Sequence, residues 1–159
     1  MNDNTPDRFE RLLGWAALAL LAVVTAALLR GSAHWGEIGW QVWAHIATIA
    51  IALALTPVNL WSRRGDKRHR LIGYIWVAAL AFTALLSFDI RLVNQGHFSV
   101  IHLLSIFTLI QLPAIVFSAR AHNHQRHRRS VRGMVIGAML VAGFFTFPFG
   151  RLLGSWLFG

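Results

Sequence analysis

Two histidines, His45 and His102, lie inside long apolar stretches and stand 57 residues apart. A titratable side chain in such a setting is costly, so it marks a ligand, a partner or a pathway. Imidazoles on two helices at similar depth could bind the iron of a b-type haem from opposite faces of the ring. They could equally exchange a proton with a quinone headgroup, or hold Cu or Zn with help from His34 or His97. His45 and His102 are therefore the candidate cofactor and metal ligands. Arg91 and Arg151 are candidates to pair with haem carboxylates through charge-assisted hydrogen bonds. Ala44, Ala47, Ser99 and Ser105 are small enough to admit a flat cofactor. A structural alternative stands beside these readings, in which the two histidines only hydrogen-bond across helices.

Four further histidines lie in basic segments. His69 and His127 each sit between arginines, whose charge pushes an imidazole toward neutrality. Both loops together could form a site for an anionic headgroup, a quinone or a phosphate; the alternative is that they only anchor topology. His122, His124 and His127 have a loose metal-like spacing that a charged loop produces easily. Asp89 beside Arg91 reads as a solvated salt bridge, and Glu37 as an exposed loop acid. No catalytic residue can be assigned: phosphate-loop, dinucleotide, zinc-helix and serine-nucleophile motifs are all missing. The absence of cysteine excludes disulfides, iron–sulfur clusters, thiolate metal sites and covalent haem.

The elements that must position these residues are membrane helices. Of the 159 residues 56% are hydrophobic and only 13% charged, against roughly a quarter charged in a soluble domain. The charge is gathered between apolar runs at 12–29, 39–57, 71–88, 98–118 and 133–149, close to the ~20 residues that cross a bilayer as a helix. Lipid leaves no partner for open backbone groups, so each run must be helical. The expectation is an all-α integral membrane bundle of about five helices in a single domain, 1–159. Pro57 should fall at the end of the second span, Pro113 should kink the fourth, and Pro148 should break the last. Beyond it Leu152 to Phe158 would lie along the interface, anchored by Trp156.

Twelve of the fifteen Lys and Arg fall on one side of this arrangement, leaving Arg30, Arg91 and Arg151 on the other. The positive-inside rule then places the N-terminus in the cytoplasm and the C-terminus outside. Basic residues next to spans meet lipid headgroups, so the formal charge of +9 does not point to nucleic acid. The two basic loops are alike: Lys67-Arg68-His69-Arg70 parallels Gln125-Arg126-His127-Arg128, with Gly73 and Gly133 following. His45 with His102, Ser87-Phe88 with Thr146-Phe147, and Arg91 with Arg151 extend the match, at offsets of 57 to 60 residues. This predicts a parallel repeat of two hairpins, 39–93 and 98–154, behind one added helix. Gly133 and Gly137 have the spacing of close helix contact or self-association.

From Trp43 to Gly154 the chain resembles a bacterial family of predicted multi-spanning membrane proteins of unknown function, domain-of-unknown-function family 2306. The resemblance rests on His69-Arg70-Leu71-Ile72-Gly73, Leu86-Ser87-Phe88 and Phe98-Ser99-Val100-Ile101-His102-Leu103-Leu104-Ser105. His127-Arg128, Arg132-Gly133 and Ala142-Gly143-Phe144-Phe145-Thr146-Phe147-Pro148-Phe149-Gly150-Arg151 complete it. It implies a multi-pass protein of the bacterial inner membrane and no particular activity. Three functions remain open: a redox-related bundle holding haem or quinone near the outer leaflet, a non-catalytic accessory or scaffold subunit with a membrane-protein partner or a second copy, and a small transporter.

Overall fold

The computed structural model describes residues 5–90, 101–148 and 150–159. Among these every regular element is helical: α1 Arg8–Arg30, a 3-10 turn Ser32–Glu37, α2 Trp40–Trp61, α3 Lys67–Asp89, α4 Ile101–Arg120 and α5 His124–Met134. α5 continues without a break through π-helical turns at Val135–Val141 into α6, Ala142–Phe144. After a turn, α7 closes the chain at Leu152–Phe158.

Four of these helices are long and apolar enough to span a membrane: Arg8–Arg30, Trp40–Trp61, Lys67–Asp89 and His102–Arg120. Only 28 to 33% of each apolar window is buried within the bundle. The outward faces carry Leu12, Trp15, Leu29, Phe82, Leu103, Ile110 and Phe117, each at least 60% exposed. Water would not tolerate an apolar belt of that extent, whereas lipid requires it. The protein is a membrane-embedded helical bundle.

Neighbouring helices in sequence are neighbours in space, and the π-helical turns return to pack on α1, which closes the ring. Leu13 and Ala17 of α1, Leu53 and Leu60 of α2, Trp76 and Leu80 of α3, Leu112 and Ile115 of α4 and Met139 of the π-helical turns fill its centre. α7 lies against the far half of α1, where Leu153 meets Val24 and Ala27. That docking depends on Gly154, where an added Cβ would stand 1.7 Å from the Phe147 carbonyl oxygen.

Two boundaries differ from the sequence expectation. α2 runs four residues past Pro57 to Trp61, because proline already holds the helical φ and loses only one backbone bond. The segment expected as a fifth span, 133–149, is not among the four helices long and apolar enough to cross: its helix stops at Phe144 and turns at Phe145–Phe147 ahead of Pro148. Its other end extends back to His124, where the Asn123 side chain accepts the Arg126 N–H at 3.0 Å. α3 begins in the same way, with Asp66 accepting the His69 N–H at 2.6 Å. The glycines of the last segment serve contacts inside the chain. A Cβ at Gly137 would press on Phe107 of α4 at 3.1 Å, and one at Gly143 on Leu20 of α1 at 2.4 Å.

Candidate functional site: a basic cavity at one end of the bundle

The N-terminus of α1, the α2–α3 turn and the start of α5 meet at one end of the ring, and an acidic residue joins them. Asp7 and Glu10 form a capping box on α1: the Glu10 N–H donates to Asp7 at 2.8 Å and the Asp7 N–H donates back to Glu10 at 3.2 Å. This fixes Glu10 where its side chain is only 2% exposed. An isolated buried carboxylate would be expelled or neutralised. Here Arg64 pairs with Oε2, Arg128 donates Nε to Oε1 at 2.8 Å and Nη2 to Oε2 at 3.2 Å, and Arg132 donates Nε to Oε1 at 3.3 Å. Arg128 also meets Asp7 at 2.8 Å. Burial works to raise the Asp7 pKa, but the Glu10 amide and the Arg132 and Arg128 charges outweigh it and hold the carboxyl below its ordinary range.

Beside this cluster lies a cavity of about 990 Å³ between α2, α3, α4 and α5. Its buried walls are apolar, with Leu60, Trp76 and Ile115 each under 7% exposed. Six arginines, four histidines and a single carboxylate line it as well. Arg70, Arg120 and Arg129 are exposed at its rim and have no acidic partner among the described residues. Space is kept open at Gly73, where a Cβ would touch nothing within 4 Å. The cavity is thus amphipathic, apolar where it is deep and strongly cationic where it opens.

The two loop histidines come together here. The His69 Nδ1 stands 3.0 Å from the Ser62 hydroxyl. The His127 Nδ1 is 3.0 Å from the Ile115 carbonyl oxygen; a carbonyl can only accept, so Nδ1 carries the proton and Nε2 is the other nitrogen left to bind. Burial lowers the His127 pKa, and the Arg64 and His124 charges add to it, against the opposing Ile115 bond. Neutrality expected from neighbouring cations therefore has burial as its larger cause. Asn59 also lines the cavity, and both its amide atoms are buried without a hydrogen-bond partner.

The histidines expected to share a cofactor are separately engaged. His45 donates Nδ1 to the Thr83 carbonyl oxygen of α3 at 3.1 Å. His102 is 5% exposed on α4, its ring 5.8 Å from that of Phe88 and tilted by 32°. Both side chains thus turn to α3, one at Thr83 and the other at Phe88. Arg151 opens α7, which packs on α1, and its buried Nε has no hydrogen-bond partner. Arg91, His97 and Ser99 lie outside the described residues. Among the described residues no three metal-ligating side chains are grouped.

No family model, curated protein or solved structure matches the chain. The site has to be read from its own chemistry. Reading the sequence found the loop histidines and arginines, but it missed Glu10, Asp7 and Asn59. The Asp7-x-x-Glu10 capping pattern was the available signal, and it placed two acids in an otherwise basic end.

Proposed function

We propose that this protein binds an anionic amphiphile, with the charged headgroup at the basic mouth of the cavity and the apolar tail against its walls. One observation carries the reading: a cavity of about 990 Å³ in which six arginines and four histidines face a single carboxylate, above an apolar interior. Guanidinium groups suit phosphate and carboxylate because their donors are planar, permanent and weakly hydrated. Glu10 and Asp7 balance part of the charge of Arg64, Arg128 and Arg132. Arg70, Arg120 and Arg129 supply the cationic excess at the opening. With the basic end facing the cytoplasm, as the distribution of arginine favours, the ligand would be drawn from the cytoplasmic leaflet of a bacterial inner membrane. The protein would then act as a binding or accessory subunit. A quinone finds hydrogen-bond donors in the same place, but it has no charge to use the arginines.

The test is lipid binding by the full chain in mild detergent, read as thermal stabilisation by short-chain lipids. Anionic phosphatidylglycerol should stabilise more than zwitterionic phosphatidylcholine. Arg120→Gln with Arg129→Gln should weaken the anionic lipid about tenfold, as expected for two partly exposed charge contacts. Equal stabilisation by both lipids would contradict the proposal. Displacement of the lipid by glycerol phosphate at equal concentration would contradict the need for a tail.

A further inference from the structure

Two residues that line the cavity have a hydrogen-bonding character unlike its arginines. Arginine side chains only donate, so the rim asks for acceptor oxygens. Asn59 is different: its amide presents one acceptor and two donor hydrogens, and both polar atoms are buried without a partner. His127 faces the same space from α5, with Nδ1 committed to the Ile115 carbonyl. In the neutral ring Nε2 is then an acceptor. Burial and the Arg64 and His124 charges favour that neutral form. An ionised phosphodiester carries acceptors alone. It would satisfy the arginines and leave the buried Asn59 Oδ1 still without a donor, forgoing the bond that a ligand hydroxyl would make.

We propose that the headgroup taken by this cavity is an anion that also carries a hydrogen-bond donor, such as the hydroxyls of a glycerol phosphodiester, and that Asn59 and His127 read that donor. The inference rests on the anionic-amphiphile reading and narrows its ligand. Asn59 stands one turn from Thr56, which also lines the cavity and whose hydroxyl accepts the Trp76 indole N–H at 2.9 Å. Trp76, 4% exposed, thereby ties α3 to α2 beside the amide. The arginines hold the charge at the mouth while the amide and imidazole discriminate among anionic headgroups.

The experiment compares dioctanoyl phosphatidylglycerol with dioctanoyl phosphatidylmethanol, which has the same phosphodiester charge and no donor. Dioctanoyl phosphatidylcholine is the third probe, and binding to the intact chain in detergent is followed by native mass spectrometry. Phosphatidylglycerol should bind about tenfold more tightly than phosphatidylmethanol, the worth of one satisfied buried acceptor. Asn59→Leu should remove the difference between the two. Equal affinity of the two anionic lipids for the unaltered protein would overturn the inference and leave the anionic site standing. Equal affinity of all three lipids would overturn both. The comparison on the unaltered chain decides the matter even if the variant fails to fold.

Discussion

Replacing Glu10 by glutamine isolates the charge that holds the basic end together. The side chain keeps its shape and one acceptor oxygen, but the negative charge facing Arg64, Arg128 and Arg132 is lost. Removing one partner from a buried ion cluster costs about 3–5 kcal/mol, because the remaining charges stay desolvated and uncompensated. Glu10 is 2% exposed, which places it in that class. Asp7, at 42% exposure, still meets Arg128 and Arg132, so the lower end, about 3 kcal/mol, is expected. For a chain of this length that corresponds to a fall in melting temperature of roughly 6–12 °C. The seven tryptophans allow melting to be followed by intrinsic fluorescence in detergent. Glu37→Gln is the control: its carboxylate is 75% exposed and, among the described residues, pairs with His34 at 3.4 Å, so it should shift stability by less than about 0.5 kcal/mol. A double variant, Glu10→Gln with Arg64→Gln, should recover part of the loss, since coupled charges are not additive. Melting of Glu10→Gln within about 1 °C of the unaltered protein, well inside the loss expected for a broken buried pair, would refute the reasoning.

Two further outcomes follow from the packing and from the titration of His127. Gly154→Val should undock α7 from α1, because a side chain there meets the Phe147 carbonyl oxygen at 1.7 Å from Cβ. Protease cleavage within 150–159 should then precede cleavage elsewhere, and unchanged protection would contradict the assigned contact. His127 has a folded-state pKa below its ordinary 6.5. The unfolded chain therefore binds the proton more readily, and the His127 contribution is complete above pH 6.5 and lost as pH falls through the folded-state value. His127→Gln should flatten the fall in stability below pH 6.5, as seen in melting temperatures between pH 7.5 and 5. An unchanged slope would show that the proton goes elsewhere.

The helices were legible because each apolar run had almost no polar residue to interrupt it, and lipid admits one backbone solution to such a run. The shared side of the basic segments was legible from counting alone, and Arg64, Arg128 and Arg132 indeed converge on Glu10. The convergence itself was not. Glu10 and Arg128 are 118 residues apart, and nothing local in either segment selects the other. Pro57 misled the boundary of α2, since proline weakens a helix without ending it when tertiary contacts such as Leu60 in the core hold the next turn. The π-helical turns at Val135–Val141 left no mark in the residue pattern, because they depend on how the segment fits between α4 and α1. Matched histidines drew attention to His45 and His102, yet hydrogen bonding to α3 occupies His45. His69 and His127, from the two basic segments, instead line the cavity of about 990 Å³.

Photo-crosslinking tests the central claim, that the cavity takes an anionic amphiphile, most directly. A benzophenone side chain at Tyr74, which lines the cavity, is compared with one at Phe82, which is 60% exposed on the outer face of α3. In mixed vesicles of phosphatidylglycerol and phosphatidylcholine, position 74 should capture phosphatidylglycerol in excess of its share, and position 82 should capture both in proportion. Capture at position 74 that follows the bulk composition would contradict the account.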